Sequence, residues 1–172
     1  MFLNIIKNFL LKNKTSKLFT NANVSQTGGL IKSVGVIYDG NLNLEIENLV
    51  YELFKNGIEE DQIKVLIFKD KINKKEVSKL NVISYQDINW SGAIDNPKAE
   101  LFLNYHYDLL INYHDFETPP LVYLSYLSKA NFKVGFTSLD KKINQLMINT
   151  NPSNYQLFID ELFKYLKILN KY

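Results

Sequence analysis

Two histidines, His106 and His114, lie eight positions apart in the stretch NYHYDLLINYHDFETPP (residues 104–120), each ending an Asn-Tyr-His triplet. Imidazole titrates near neutrality, so it suits general acid–base work and metal ligation better than any other side chain. Asp115 and Glu117 follow His114. A base oriented by a carboxylate, or a weak metal site, is the chemistry this spacing would allow. The same acids also precede a helix start at Thr118 and Pro119, where negative charge complements the positive end of the helix dipole. That is the structural reading of the same residues. If the apolar run between the triplets is one strand, at about 3.3 Å per residue the two rings stand roughly 26 Å apart and cannot share a metal. His106 then falls at the amino end of the strand, as a surface or structural residue, and His114 at the carboxyl end.

Other chemistries lose their side chains. The chain has no Cys, so disulfides, thiolate metal sites and thiol nucleophiles are excluded; a reducing, cytoplasmic compartment fits. Its basic residues are all Lys, and the formal net charge is only +2. Without the forked guanidinium that clamps phosphates and guanine edges, no nucleic-acid partner is expected. No Gly-x-Ser-x-Gly elbow is present. The turn after the first predicted strand, Asp39-Gly40-Asn41-Leu42-Asn43, holds one Gly, and Glu45 and Glu47 follow it. It lacks the glycines that let a backbone approach a pyrophosphate, and its charge would repel one. The Gly28-Gly29 pair precedes the strand, so it is not a phosphate loop. Neither a metal nor a cofactor is expected.

The elements that must position these residues follow from periodicity. Residues 1–17 predict an N-terminal amphipathic helix: Phe2, Ile5, Ile6, Phe9 and Leu10 recur at helical spacing, with Asn4, Lys7, Asn8 and Lys12 on the other face. Residues 18–32 read as a polar linker and residues 33–172 as one α/β domain. Buried strands are predicted at 33–38, 62–68, 82–85, 107–113, 132–136 and 145–150. Helices are predicted from Asn43 to Gly57, over 97–104, after a Thr118 cap, and from Asn151 or Ser153 to about Leu169. Residues 69–79 leave room for a further short helix. Strands alternating with helices predict a three-layer Rossmann-like domain, with a mostly parallel sheet of five or six strands.

In such a sheet, ligands bind beyond the carboxyl ends of the strands, where the strand order reverses. That places Asp39 beside Asn112, His114 and Asp115, with Asp87, Trp90 and Thr137 as walls. Tyr38, Tyr113, Trp90 and Phe116 are aromatic candidates for the mouth of a sugar or other small-molecule site. The candidate catalytic set is His114 as base with Asp39 or Asp115 orienting it.

The stretch Tyr107–Phe136 resembles a segment of the lipopolysaccharide heptosyltransferases (glycosyltransferase family 9). Tyr107-Asp108-Leu109-Leu110-Ile111-Asn112 matches a YDL-type strand, and Ala130, Lys133, Val134, Gly135 and Phe136 match an A-x-x-K-V-G-F strand. The resemblance implies a Rossmann-like half-domain with strand order near 3-2-1-4-5. It does not imply transferase activity: the chain is long enough for one of that family's two domains, and Tyr38-Asp39-Gly40-Asn41 stands where those enzymes carry a Gly-rich loop ending in a catalytic Asp. The whole chain, with its basic N-terminal helix and SVGVIYDG strand, is similar to a flavobacterial (Bacteroidota) domain-of-unknown-function family.

Three functions follow. The leading one is a non-catalytic ligand-binding or protein-interaction module. The second is a small hydrolase or transferase using His114. The third is a protein that docks to a membrane surface, a partner or a second copy through Phe2, Ile5, Ile6 and Phe9; it requires those side chains to be exposed as one patch.

Overall fold

The computed structural model of the chain describes residues 2–19, 29–42, 44–72 and 81–172, with the side chains of Phe2 and residues 17–19 left aside. Six parallel strands form one sheet: β1 (Val34–Asp39), β2 (Ile63–Phe68), β3 (Val82–Ile83), β4 (His106–Tyr113), β5 (Lys129–Phe136) and β6 (Leu146–Ile148). Their order is β3-β2-β1-β4-β5-β6. The Rossmann-like α/β expectation is met, with the sheet wholly parallel among the described residues. The order reverses between β1 and β4, where Ile37 pairs with Asn112 and Tyr38 with Tyr113.

Alternating side chains of the strands feed two cores, as a sheet covered on both faces requires. Val36, Tyr38, Leu109, Ile111, Tyr113, Val134 and Phe136 pack under α2 (Ile46–Lys55) and α5 (Tyr155–Ile168). On the other face, Ile37, Leu66, Phe68, Tyr107 and Leu110 meet Phe102 of α3 (Pro97–Asn104), Leu121 and Leu124 of α4 (Pro119–Leu127), and Leu11 of α1 (Phe2–Phe19). Both cores hold buried aromatics, with the denser cluster in the first. Tyr113 stacks on Tyr38 at 5.9 Å and meets Phe136 and Phe158 edge-on. Its hydroxyl donates to the Pro152 carbonyl (2.6 Å), and that of Tyr38 donates to the Leu44 carbonyl (2.8 Å). A buried tyrosine needs such a partner. Of the four expected mouth aromatics, Tyr38 and Tyr113 are therefore core residues, and Trp90 and Phe116 are exposed.

Element ends differ from expectation where capping chemistry decides. Residues 43 and 73–80 lie outside the described residues, so neither the Asn43 cap nor the short helix before Lys79 is addressed; Gly28 and the side chain of Lys17 also lie outside. Asn154, rather than Asn151 or Ser153, caps α5: its Oδ1 accepts from the Leu157 amide. Asn151 instead closes a turn onto the Ser153 amide and hydroxyl. The third strand stops at Ile83 because Ser84 and Asp87 form a reciprocal capping box around the 3-10 turn Tyr85–Asp87.

The motif residues of β4 and β5 hold the frame. Asp108 Oδ2 accepts from the Lys32 amide, the Ser33 amide and the Ser33 hydroxyl, each at 3.0 Å, tying the entry of β1 to β4. Partial burial pushes its carboxyl up, but these hydrogen bonds outweigh it and hold the group below its ordinary value. Gly135 is required by close approach: a Cβ there would sit 2.5 Å from Asn144 Nδ2. Asn144 in turn accepts from Asn112 Nδ2 (2.7 Å).

Candidate functional site

The β1–β4 crevice brings some of the predicted residues together and closes them off. His114 follows β4 directly and is 0% exposed. Its Nδ1 donates to the Phe116 carbonyl (2.9 Å), which fixes the proton on that nitrogen. Its Nε2 is buried without a hydrogen-bond partner, so no carboxylate bonds to the ring. Desolvation dominates and lowers the His114 pKa, against the raising effects of the Phe116 carbonyl and the Asp39 and Asp115 charges. The imidazole is thus held neutral, out of contact with solvent. Asp39 is buried, and its Oδ1 accepts from the Asn41 amide (2.9 Å) and Asn41 Nδ2 (2.8 Å). This closes a turn of the kind Asx residues make. Asp115 Oδ1 and Thr118 Oγ1 are buried without partners, and Thr118 occupies the N-cap position without donating or accepting as a cap. Glu117 leaves the helix start and accepts from the Asp140 amide (2.5 Å).

The expected walls stand elsewhere. Asp87 is committed to its own turn: it accepts from the Ser84 amide (2.8 Å) and from Asn96 Nδ2 (2.9 Å). Thr137 follows β5, two strands from β1, and donates to Asn149 Oδ1 (3.2 Å) on the exposed side. Asn112 is fully buried on Asn144. His106 lies at the exposed amino end of β4, with Nε2 3.0 Å from Asn131 Oδ1. Trp90 is exposed, and its ring centre lies 5.3 Å from Lys7 Nζ, beside α1 rather than at the crevice. No group of three His, Asp or Glu among the described residues has a geometry that could hold a metal ion.

The sequence did not signal three features. Lys133, on β5, is largely buried under α4 and donates to the Ser125 carbonyl; burial brings its pKa down to about 8. A groove of about 980 Å³ lies at the open edge of β2, lined by Val50, Tyr51, Phe54, Lys64, Leu101 and Tyr105 among others. It exists because β3 pairs only with Ile67 and Phe68, leaving the first residues of β2 without a described strand on their outer side. Counting strands does not reveal their lengths, which is why the sequence hid it.

The third feature is the orientation of α1. Two residues of the predicted polar face, Lys7 and Asn8, hold the domain, while Lys12 of the same set is exposed. Lys7 Nζ donates to the carbonyls of Tyr85 and Ile88, both at 2.6 Å, and the Tyr85 hydroxyl donates to Asn8 Oδ1 at 2.9 Å. Leu11 is 1% exposed within the α3–α4 core, and Thr15 is buried one turn further on, donating to the Leu11 carbonyl. Lys14 lies against Gly92, whose φ of +78° suits glycine and where a Cβ would meet the Lys14 stem at 2.8 Å. The Gly92 carbonyl accepts from Tyr123 of α4 (2.9 Å), so α1, the 88–94 loop and α4 are tied together. The predicted apolar face therefore points outward: Leu3 is 60% exposed, Ile5 61%, Ile6 37% and Phe9 64%. Phe2 lies outside the side chains described.

A model of a family of unknown function, DUF6913, matches residues 7–169, nearly the whole chain. The chain belongs to DUF6913. The DUF6913 match begins inside α1, at the first residue that anchors it, and so takes in Lys7, Asn8, Leu11 and Thr15 together with all six strands. No curated protein and no solved structure matches this DUF6913 chain.

Proposed function

We propose that this protein is a non-catalytic docking module, in which the Rossmann-like domain is a rigid platform presenting α1 to another surface. One observation carries the reading: α1 is clamped to its domain by Lys7, Asn8 and Leu11, with Thr15 buried on the same side, while Leu3, Ile5, Ile6 and Phe9 face outward. A helix that served only its own core would turn those side chains inward. The fixed orientation matters, because a surface already ordered loses little entropy on binding. The enzyme reading has less support, since His114 is buried and makes no hydrogen bond to a carboxylate. Kinship with a glycosyltransferase half-domain remains a proposal about ancestry; it rests on the motif residues of β4 and β5, whose work here is framing the sheet. A cytoplasmic setting in a bacterium of the Bacteroidota fits the Cys-free, Lys-rich chain.

The test is binding of a hydrophobic fluorescent dye to the folded full chain, with and without Ile5→Glu/Phe9→Glu. The double variant is expected to lose most dye binding while its Tm stays within about 2 °C of wild type, because neither side chain is in the core. Unchanged dye binding, or a fall of Tm beyond about 5 °C, would remove the reading.

A further inference from the structure

We infer that the surface α1 docks on is an anionic lipid bilayer, on which the helix lies in the interfacial plane; this rests on the docking reading above. The first argument is charge. Across α1, the 88–94 loop and α4, the charged residues are Lys7, Lys12, Lys14 and Lys17, with no Asp or Glu among them. Lys7 is spent on two backbone carbonyls and the Lys14 stem lies against Gly92, while Lys12 is exposed on the outward side. At a helical step of 100°, the outward face carries Ile5, Ile6 and Phe9 in its first half and Lys12, Asn13 and Ser16 in its second. Apolar side chains enter the acyl boundary, while lysine stems lie along it with their ammonium groups among the phosphates.

The second argument is size. Four aliphatic and aromatic side chains on one helix face offer a few hundred Å², roughly half or less of what each partner contributes to a stable protein interface. An interfacial helix needs no more than this when cationic residues add to it. No helix among the described residues is long and apolar enough to cross a membrane, so α1 lies on the surface rather than through it.

The full chain is floated with vesicles of phosphatidylcholine alone and with vesicles containing about 30 mol% phosphatidylglycerol, and its self-association is measured by sedimentation. Wild type is expected to float with the anionic vesicles and not with the neutral ones. Lys12→Glu is expected to weaken binding roughly tenfold, as is raised salt, and Ile5→Glu/Phe9→Glu to abolish it. Thermal melts show that each variant is folded. Failure to float, or equal floating with both vesicle types, overturns the proposal. A dimer that the double variant dissociates, without flotation, also overturns it and leaves a second copy as the docked surface. Loss of the dye-binding result as well would remove the docking reading itself, so the two failures are distinguishable.

Discussion

The β1–β4 crevice and the outer face of α1 invert each other. At the crevice, the residues with chemistry are buried and held locally by one polar atom each, His114 by the Phe116 carbonyl, Asp39 by Asn41 and Asn112 by Asn144, while His114 Nε2 and Asn112 Oδ1 are left without partners. On α1, Lys7 and Asn8 join Leu11 in the inner contact, and Leu3, Ile5, Ile6 and Phe9 meet solvent. Residue type alone does not say which way a side chain faces. A lysine aimed at two carbonyl oxygens, as Lys7 is, holds a helix as well as a leucine does, because an unpaired carbonyl at a loop is costly to bury. The crevice has the topology of a binding site without an opening, and α1 has the chemistry of a binding surface without a pocket.

The largest effect that sharpens this contrast lies within one helix. Leu11→Ala is expected to destabilise the protein by about 2–4 kcal/mol, because it empties a packed site. Phe9→Ala, two residues away and removing a larger side chain, is expected to change stability by no more than about 0.5 kcal/mol. Denaturant unfolding measures both, and equal losses would mean that α1 is turned the other way.

Lys133 gives the next effect, by asking whether buried polar groups away from α1 are stabilising. Its pKa is about 8 in the fold, against 10.5 ordinarily. Below about pH 8 both folded and unfolded chains hold the proton and the fold bears the full cost of burying the charge. Between about 8 and 10.5 the unfolded chain binds more protons, so stability rises with pH. Lys133→Met is expected to add about 1–3 kcal/mol at pH 7, offset in part by the lost bond to Ser125, with the gain shrinking toward pH 10. Melts across that range check it, and a loss of stability at pH 7 would mark Lys133 as an anchor like Lys7.

The smallest effect is at the crevice. The His114 pKa is lowered by burial, so below the unfolded value near 6.5 the unfolded chain takes up a proton that the fold refuses. Stability at this residue is full above that value and declines as the pH falls through it. His114→Gln is expected to flatten the slope of stability between about pH 7 and 5.5 by a fraction of a kcal/mol to about 1 kcal/mol. An NMR titration that put His114 above 6.5 would instead show a charge-coupled, open site and revive the enzyme reading.

The fold was largely legible because parallel strands buried on both faces leave continuous apolar runs such as VGVIY and LLI, and Pro119 and Gly57 mark helix ends. The neighbourhood of Asp39 and His114 was legible for the same reason: topology fixes which strand ends adjoin. Whether that neighbourhood is open was not, because closure depends on the Asx turn at Asp39, the loop back to Phe116 and the Asn112–Asn144 pair, each set by a few degrees of backbone. The length of α1 was legible from spacing. Its orientation was not, because periodicity separates two faces and is silent on which one finds the better partners; the carbonyls of Tyr85 and Ile88, about eighty residues away in sequence, made that choice.

Thiol labelling tests the central claim most directly, and the absence of native Cys makes it clean. Phe9→Cys and Thr15→Cys place a single thiol on opposite faces of α1, the second nearly isosteric with the residue it replaces. With α1 clamped as described, Phe9→Cys is labelled at the rate of a free thiol and Thr15→Cys slower by on the order of a hundredfold or more, since its access requires local opening. Equal rates would show that α1 is not held by its polar face, and faster labelling of Thr15→Cys would show the apolar face turned inward, against the account.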